Sequence, residues 1–345
     1  MKKRKKILVM RFSALGDVAM VSPVIHSYLE MHSDLEIVFL SKPFHQPLFR
    51  EQDRFTFWAA DVKKEYKGLP GLLRLFSVLK KEKFDAVIDL HSSLRSRIIS
   101  ALFYLTGHKV YRIDKGRAEK KQLMQKGAQH SKPLMHSIER YIEVFESAGI
   151  SGVSMDNMKL PELGKSSANT NELLEKKNQK WIGIAPFAAH TSKEWDIEKM
   201  ADLAEVLRSR GFTLFWFGAG NREIEILSKR LFESASDILI AGNFTLEEEL
   251  YIMQHLDLML TMDSANMHMA SICGTKVVSI WGPTHSFAGF GPINNEEGIV
   301  QADLDCRPCT IYGKLKTTAD KKCAEESMEK INVDQVLGKI LQLLS

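Results

Sequence analysis

No run of 18 consecutive apolar residues occurs in this 345-residue chain, and a helix needs about that length to cross a bilayer. No transmembrane helix is therefore predicted. The basic start Met1-Lys2-Lys3-Arg4-Lys5-Lys6 leads into only four apolar residues, Ile7–Met10, before Arg11 interrupts them. That is too short for a signal-peptide core, and no small-residue cleavage site follows, so a cytoplasmic protein is expected. Cysteine is scarce: Cys273, Cys306, Cys309 and Cys323 are the four present. With no export signal they are expected as reduced thiols. Cys306-x-x-Cys309 with Cys323 fourteen residues on supplies three potential zinc ligands, and a fourth would have to come from elsewhere. Neither sign of charge dominates, with 47 Lys and Arg against 43 Asp and Glu and a net charge of +4. Dispersed charge without a recognition motif weighs against a nucleic-acid-binding module, and no nucleic-acid partner is expected. It leaves room for an anionic small substrate or an anionic membrane surface. The Arg11–Asp17 segment after the first run does not have Gly-x-Gly-x-x-Gly spacing and no Gly-Lys-Ser/Thr follows it, so dinucleotide or P-loop phosphate binding is not expected there; no Asp-x-Asp stands at the end of a strand read here, so an essential divalent metal is not called for.

What is present is an alternation of short apolar runs with longer amphipathic stretches. Ile7–Met10, Glu36–Leu40, Ala86–Leu90 and Val110–Ile113 read as strands, and Leu69–Glu82, Leu94–Leu105 and His136–Ala148 as helices. The small, polar stretch Gly164–Asn171 and the charged residues to Lys180 read as a linker. The alternation then restarts, with strands at Trp181–Ala185, Phe212–Phe217, Ile238–Ile240, Leu258–Thr261 and Lys276–Trp281. Helices fall at Ile197–Ser209, Arg222–Phe232, Leu246–His255, Ser264–Cys273 and Val333–Leu344. The reading is α/β: two doubly wound, Rossmann-like domains (1–165 and 181–330), a linker (166–180) and a C-terminal helix (331–345). Two such domains facing each other would leave a cleft at the carboxyl ends of their strands, where doubly wound sheets bind ligands.

Four segments at strand ends carry potential chemistry. Arg11-Phe12-Ser13-Ala14-Leu15-Gly16-Asp17 follows the first strand, and Asp17 either caps a helix or points a carboxylate at a ligand. Pro23 leaves open whether that helix kinks or begins afresh at Ser22. In Thr191-Ser192-Lys193-Glu194-Trp195, Lys193 is either a solvated lysine or a mobile point charge for a diphosphate. At Asp263-Ser264-Ala265-Asn266-Met267-His268 a strand gives way to a helix whose free N–H groups suit a phosphate; capping by Asp263 and a core-facing His268 are the alternative. Trp281-Gly282-Pro283-Thr284 is a Gly/Pro loop that can lie against a ligand, or a simple turn.

Taken together, in this order and spacing, these segments resemble glycosyltransferase family 9, the bacterial lipopolysaccharide heptosyltransferases. The similarity extends through Val87–His91 with Arg95, Phe217–Gly220, Gly274-Thr275 and the Cys306/Cys309/Cys323 tail. It implies a GT-B fold, an ADP-heptose donor held in the C-terminal half, a glycolipid acceptor of the lipid A–Kdo type and no required cofactor or metal. Peripheral contact with the cytoplasmic face of the inner membrane would follow from that acceptor. By the same resemblance Asp17 is the catalytic aspartate, and Thr191, Ser192, Lys193, Asp263, Ser264, Ala265 and His268 hold the donor phosphates and sugar. Glu223 meets the ribose, Phe244 the adenine, and Arg95 and Arg117 acidic groups of the acceptor. Ala265 stands where the family usually has Gly. Rival readings are a GT-B enzyme for another nucleotide sugar or acceptor, a UDP-sugar 2-epimerase, and a non-catalytic sugar-nucleotide binder.

Overall fold

A computed structural model describes residues 4–231, 234 and 237–345. Lys2, Lys3 and the Phe232 end of the expected Arg222–Phe232 helix lie outside the described residues. In chain order the elements begin β1 (Lys5–Met10), α1 (Leu15–Ala19), α2 (Val21–Met31), β2 (Leu35–Ser41), β3 (Phe55–Ala59), α3 (Gly68–Leu79), β4 (Ala86–Asp89), α4 (Leu94–Leu105) and β5 (Lys109–Arg112). Next come α5 (Arg117–Lys126), α6 (Ser137–Ser147), α7 (Ala168–Glu175), β6 (Trp181–Ala185), α8 (Ile197–Ser209), β7 (Thr213–Trp216), α9 (Gly220–Ile226) and β8 (Ile238–Leu239). The chain closes with α10 (Leu246–His255), β9 (Leu258–Met262), α11 (Ala265–Ile272), β10 (Val277–Trp281), β11 (Ile299–Gln301), α12 (Thr318–Glu329) and α13 (Val333–Leu344).

These elements form two compact units. The first comprises the chain up to Lys115 together with Ser137–Glu162; the second comprises Gly116–His136 and Leu163–Ser345. The first unit's sheet has the order β3-β2-β1-β4-β5, and the second β11-β10-β9-β6-β7-β8. All pairings are parallel. Parallel strands buried on both faces need continuous apolar runs, which Ile7–Met10 and Trp181–Ala185 supply. In the first unit Leu8, Met10, Val38, Leu40 and Val87 meet Leu72, Leu75 and Leu79 of α3 and Ile99 and Phe103 of α4. In the second, Ile182, Ile184, Leu258, Leu260, Val278 and Ile280 pack with Leu203 and Leu207 of α8 and Val336 and Ile340 of α13. Each sheet starts winding to one side and reverses beside its first strand, between β1 and β4 and between β6 and β9. That reversal is the topological switch point, where such sheets open a crevice at their carboxyl edge.

Several local expectations are sharpened. The second helix starts at Val21, after a break at Met20, with Pro23 in its first turn, where a missing N–H loses no intrahelical bond. The polar stretch read as a linker contains α7, capped by Ser167, whose hydroxyl accepts from the Thr170 N–H. β3, α5, β11 and α12 went unpredicted: β3 is a half-exposed edge strand, and α5 is polar nearly all round. Residues 116–136 come from the N-terminal half of the sequence but fold with the second unit. There the Ala128 N–H donates to Arg307 O at 2.9 Å and the Leu134 N–H to Phe287 O at 2.9 Å.

The expectation of reduced thiols is corrected for two of the four cysteines. Cys306 and Cys323 form a disulfide with Cα atoms 6.1 Å apart, because α12 runs back beneath the 306–317 loop. Cys309 and Cys273 remain thiols. Cys309 is packed against Cys323 and Ala324, and burial pushes its pKa up to about 11. Among the described residues no group of three or more His, Cys, Asp or Glu is arranged to hold a metal ion. No described helix is long and apolar enough to cross a membrane.

Candidate active site

The end of β1 and the end of β4 are neighbours in the first sheet, so their following loops meet at its switch point. Asp17 lies in α1, at the third helical position. Its Oδ2 accepts from the Ala14 N–H at 3.2 Å and pairs with the Arg11 guanidinium at 2.5 Å. The capping reading is therefore correct as far as it goes, but the carboxylate is also more than a third exposed (37%) and so accessible to a reactant. Arg11 is itself buried. It donates to Leu90 O, and its guanidinium lies 5.4 Å from the Tyr141 ring. The Tyr141 hydroxyl donates to Asp17 O at 3.2 Å, so α6 buttresses this loop from the other side.

His91 completes the constellation from β4. Buried Asp89 accepts the N–H groups of His91 and Ser92 at 2.9 and 2.8 Å, fixing a turn in which Ser92 takes a φ of 45°. The Phe12 N–H donates to His91 Nδ1 at 3.4 Å, and Ser93 Oγ sits 3.0 Å from the same nitrogen. Nδ1 is thus the acceptor, and the ring proton falls on Nε2, which donates to Ser13 Oγ at 3.2 Å. Desolvation, reinforced by the Arg11 charge, pushes the His91 pKa down to about 3. The ring is neutral at pH 7 and acts as a fixed dipole behind the Ser13–Asp17 loop.

In the second sheet, β6 and β9 flank the switch point. Lys193 follows β6 in a short 3₁₀ turn (Thr191–Lys193), and Asp263 follows β9 directly. Lys193 Nζ lies 2.9 Å from Asp263 Oδ2, with side chains only 11% and 5% exposed. The same oxygen accepts from Thr284 Oγ at 2.8 Å, and Thr284 is fully buried. Lys193 is therefore no solvated surface lysine. The Lys193 loop is backed by the 310–316 segment: Ser192 Oγ donates to Gly313 O at 2.6 Å. A Cβ on Gly313 would lie 2.7 Å from Lys193 Cδ and 2.9 Å from His190 Cβ, and its φ is 97°. Only glycine fits there.

Ser264 occupies the N-cap position of α11, but no side chain caps the helix; the Ser264 hydroxyl sits 3.1 Å from Thr261 Oγ instead. The first-turn N–H groups and the positive end of the helix dipole are left for an anion. Ala265 is the first helical residue, a conformation open to any L-residue, so the absent glycine imposes no backbone strain. His268, one turn on from Ser264, is buried. Glu223 lies on α9 and accepts from the Ala219 N–H at 2.7 Å, with its pKa raised by desolvation. Phe244 is half-buried immediately before Thr245. Thr245 and Glu248 cap α10 reciprocally, the Thr245 N–H donating to Glu248 at 2.8 Å. Thr191 is exposed. Arg95, at the start of α4, is exposed in the first unit, and Arg117, at the start of α5, is exposed in the second.

Sequence reasoning missed Arg11 as the partner of Asp17, and it missed Arg307 altogether. Arg307 is buried to 2% and donates to the carbonyls of Trp281, Gly282, Ala302 and Thr284. Burial pushes its pKa down to about 10. It clamps the Gly282–Thr284 loop, which in turn presents Thr284 to Asp263. Nothing in the local sequence marks this role, since its partners are backbone oxygens scattered from Trp281 to Ala302.

Comparison with known proteins yields a consistent set. The profile described as Glycosyltransferase family 9 (heptosyltransferase) matches residues 72–319. A lipopolysaccharide core heptosyltransferase from Haemophilus influenzae is 23% identical, over 98% of this chain and 97% of that protein. Among solved structures, a glycosyl transferase family 9 protein from Veillonella parvula superposes with a TM-score of 0.76 at 20% identity, covering 100% of this chain and 98% of that one. The ADP-heptose lps heptosyltransferase II of Escherichia coli superposes at 0.68 with 19% identity, covering 98% of each chain.

Proposed function

Since the chain belongs to glycosyltransferase family 9, we propose that it transfers a heptose from ADP-heptose to a lipid A–Kdo type acceptor of the lipopolysaccharide inner core, with inversion at the anomeric carbon. The fold, two Rossmann-like α/β units, is the GT-B architecture. The observation that carries the reading is the Lys193–Asp263–Thr284 cluster beside the uncapped start of α11. It joins one cation, one sugar-hydroxyl acceptor and a helix N-terminus at one switch point, the set that a nucleotide diphosphate sugar requires.

In this reading the second unit holds the donor. Lys193 and the first-turn N–H groups of α11 take the diphosphate, Thr191 and Ser192 line the turn that carries Lys193, and Asp263 accepts from heptose hydroxyls. Glu223 meets the ribose, Phe244 the adenine, and His268 fills the space under the phosphates. Asp17 of the first unit takes the proton from the acceptor hydroxyl as that oxygen attacks the anomeric carbon and the C1–O bond to ADP breaks. General-base assistance of this kind contributes ~10²–10⁴-fold. Charge growing on the departing ADP is met by preorganised groups, Lys193 and the helix dipole, which need no reorientation as it develops. Arg11 and the neutral His91 fix the loop that carries Asp17. Arg95 and Arg117 meet acidic groups of the acceptor. The enzyme works in the cytoplasm, touching the inner face of the inner membrane where its acceptor lies.

The test is ADP release from ADP-heptose with and without a lipid A–Kdo acceptor. Acceptor-dependent release supports transfer. Donor consumption without acceptor points to an epimerase or hydrolase, and no binding of ADP-heptose in a thermal-shift panel of ADP-, GDP- and UDP-sugars overturns the donor assignment.

A further inference from the structure

α3 and α4 lie side by side on one face of the first sheet. Leu72, Leu75 and Leu79 of α3 and Ile99 and Phe103 of α4 enter the same core, and the Phe76 and Phe103 rings meet edge-on at 5.0 Å. Their opposite faces therefore point the same way, outward. An outward helix face normally carries charged and polar groups. Here it carries Leu69 (56% exposed), Leu73, Leu94 (77%) and Leu105 (78%), with Val78 and Tyr104 beside them.

The two helices carry charge of one sign, and the exposed carboxylate just before α3, Glu65, accepts from the Tyr66 hydroxyl. Neither helix contains an acidic residue. Exposed cations are interleaved with the leucines: Arg74, Arg95 and Arg97 within the helices, and Lys67, Lys80 and Lys81 at the ends of α3. The carboxylate that follows, Glu82, is engaged by Lys6 at 2.7 Å. Exposed leucines ringed by basic residues on a helix surface match the chemistry of the headgroup boundary of an anionic bilayer. There the apolar side chains enter the acyl region and the cations meet phosphate.

We propose that the outer face of α3 and α4 docks on an anionic phospholipid surface. The inference goes beyond the donor assignment and shares with it only the lipidic nature of the acceptor. Both helices run antiparallel to the strands of their sheet, so Leu69 and Leu94 sit at its carboxyl edge. α4 begins three residues after His91, whose ring holds the Ser13–Asp17 loop. Docking by this face thus sets the membrane beside the candidate base, so that a lipid-anchored hydroxyl reaches Asp17 with little chain to extend from the bilayer.

Co-sedimentation with vesicles tests this, because the vesicles contain no glycolipid acceptor. The full chain is mixed with mixed phosphatidylcholine–phosphatidylglycerol vesicles or with pure phosphatidylcholine vesicles. The protein is expected on the anionic vesicles only, with binding weakened by raised salt. Each basic side chain near an anionic surface is worth roughly fivefold in partition, so Lys67→Gln with Arg74→Gln should weaken binding more than tenfold. Leu69→Ser with Leu73→Ser should abolish it. All four side chains are exposed, and the ADP-heptose thermal shift should be unchanged in both variants, which separates a failure here from a failure of the donor reading. Equal sedimentation of wild type and variants overturns the proposal. So does a wild-type dimer in light scattering that the leucine variant dissolves, because the face would then be covered by a second copy of the chain.

Discussion

Removing the Lys193 charge should destabilise the second unit as well as weaken the donor. The ammonium sits 2.9 Å from Asp263 Oδ2, and both side chains are nearly excluded from solvent. At an effective dielectric of about 20 the gross attraction at that distance is on the order of 6 kcal/mol, and desolvation of the two ions offsets much of it. In Lys193→Met the attraction vanishes while Asp263 stays buried, with Thr284 as its remaining hydrogen-bond donor. Deleting one partner of a buried pair typically costs about 3–5 kcal/mol. With a urea m-value on the order of 2–3 kcal/mol/M, the midpoint should fall by roughly 1–2.5 M. Tryptophan emission is a suitable probe, because Trp181, Trp195, Trp216 and Trp281 all lie in the second unit and only Trp58 in the first. Asp263→Asn should be costly too, since it strands the lysine. The Lys193→Met/Asp263→Asn double variant should lose less than the sum of the two, by at least about 1 kcal/mol. Additivity to within about 0.5 kcal/mol would refute the claim that these groups form one electrostatic unit.

Other outcomes follow from the same geometry. Asp17→Asn should leave ADP-heptose binding intact while turnover falls at least ~100-fold in a steady-state assay; near-normal turnover removes Asp17 as the base. Thr284→Val keeps the side-chain volume and removes the hydrogen bond to Asp263. A bond to a charged group is worth about 1.5–3 kcal/mol, so a urea midpoint equal to wild type would show that Thr284 does not hold the carboxylate. Acidification should destabilise the first unit through His91. Its folded pKa lies near 3, well below the unfolded value of 6.5, so between those values the unfolded chain binds more protons and stability rises with pH. That contribution is fully present above about pH 6.5 and is lost as pH falls toward 3, with a slope of at most ~1.4 kcal/mol per pH unit from this one group. Thermal scans of His91→Asn should show a shallower acid loss than wild type, and an identical profile would contradict the neutral-ring assignment. Reduction of Cys306–Cys323, which lie 17 residues apart, should lower stability by roughly 3 kcal/mol; a melting temperature indifferent to dithiothreitol would mean that the bond adds nothing to the native fold.

Much of this molecule was legible locally. The runs Trp181–Ala185 and Ile7–Met10 are apolar throughout because a parallel strand is buried on both faces, and α4, α8, α10 and α13 begin and end where their apolar periodicity and caps predict. Asp17, Lys193 and Asp263 stand just past strands, and placing them at a carboxyl edge needed only the alternation of strand and helix. β3 and α5 were not legible, because an edge strand is half-exposed and a polar helix has no stripe to read.

The sequence by itself determined two α/β units, parallel sheets and the strand-end positions of the candidate residues. Tertiary structure alone decided which of those positions meet. Crossovers of dozens of residues set β4 beside β1 and β9 beside β6, and so bring His91 to Ser13 and Asp263 to Lys193. The same holds for Arg307 on the Gly282–Thr284 loop, for Cys323 against Cys306, for residues 116–136 on the second unit and for the leucines that face outward from α3 and α4. The physical reason is range. Periodicity and capping are written within one or two helical turns, whereas ion pairs, disulfides and exposed faces depend on which surfaces the chain buries after it has crossed its own sheet.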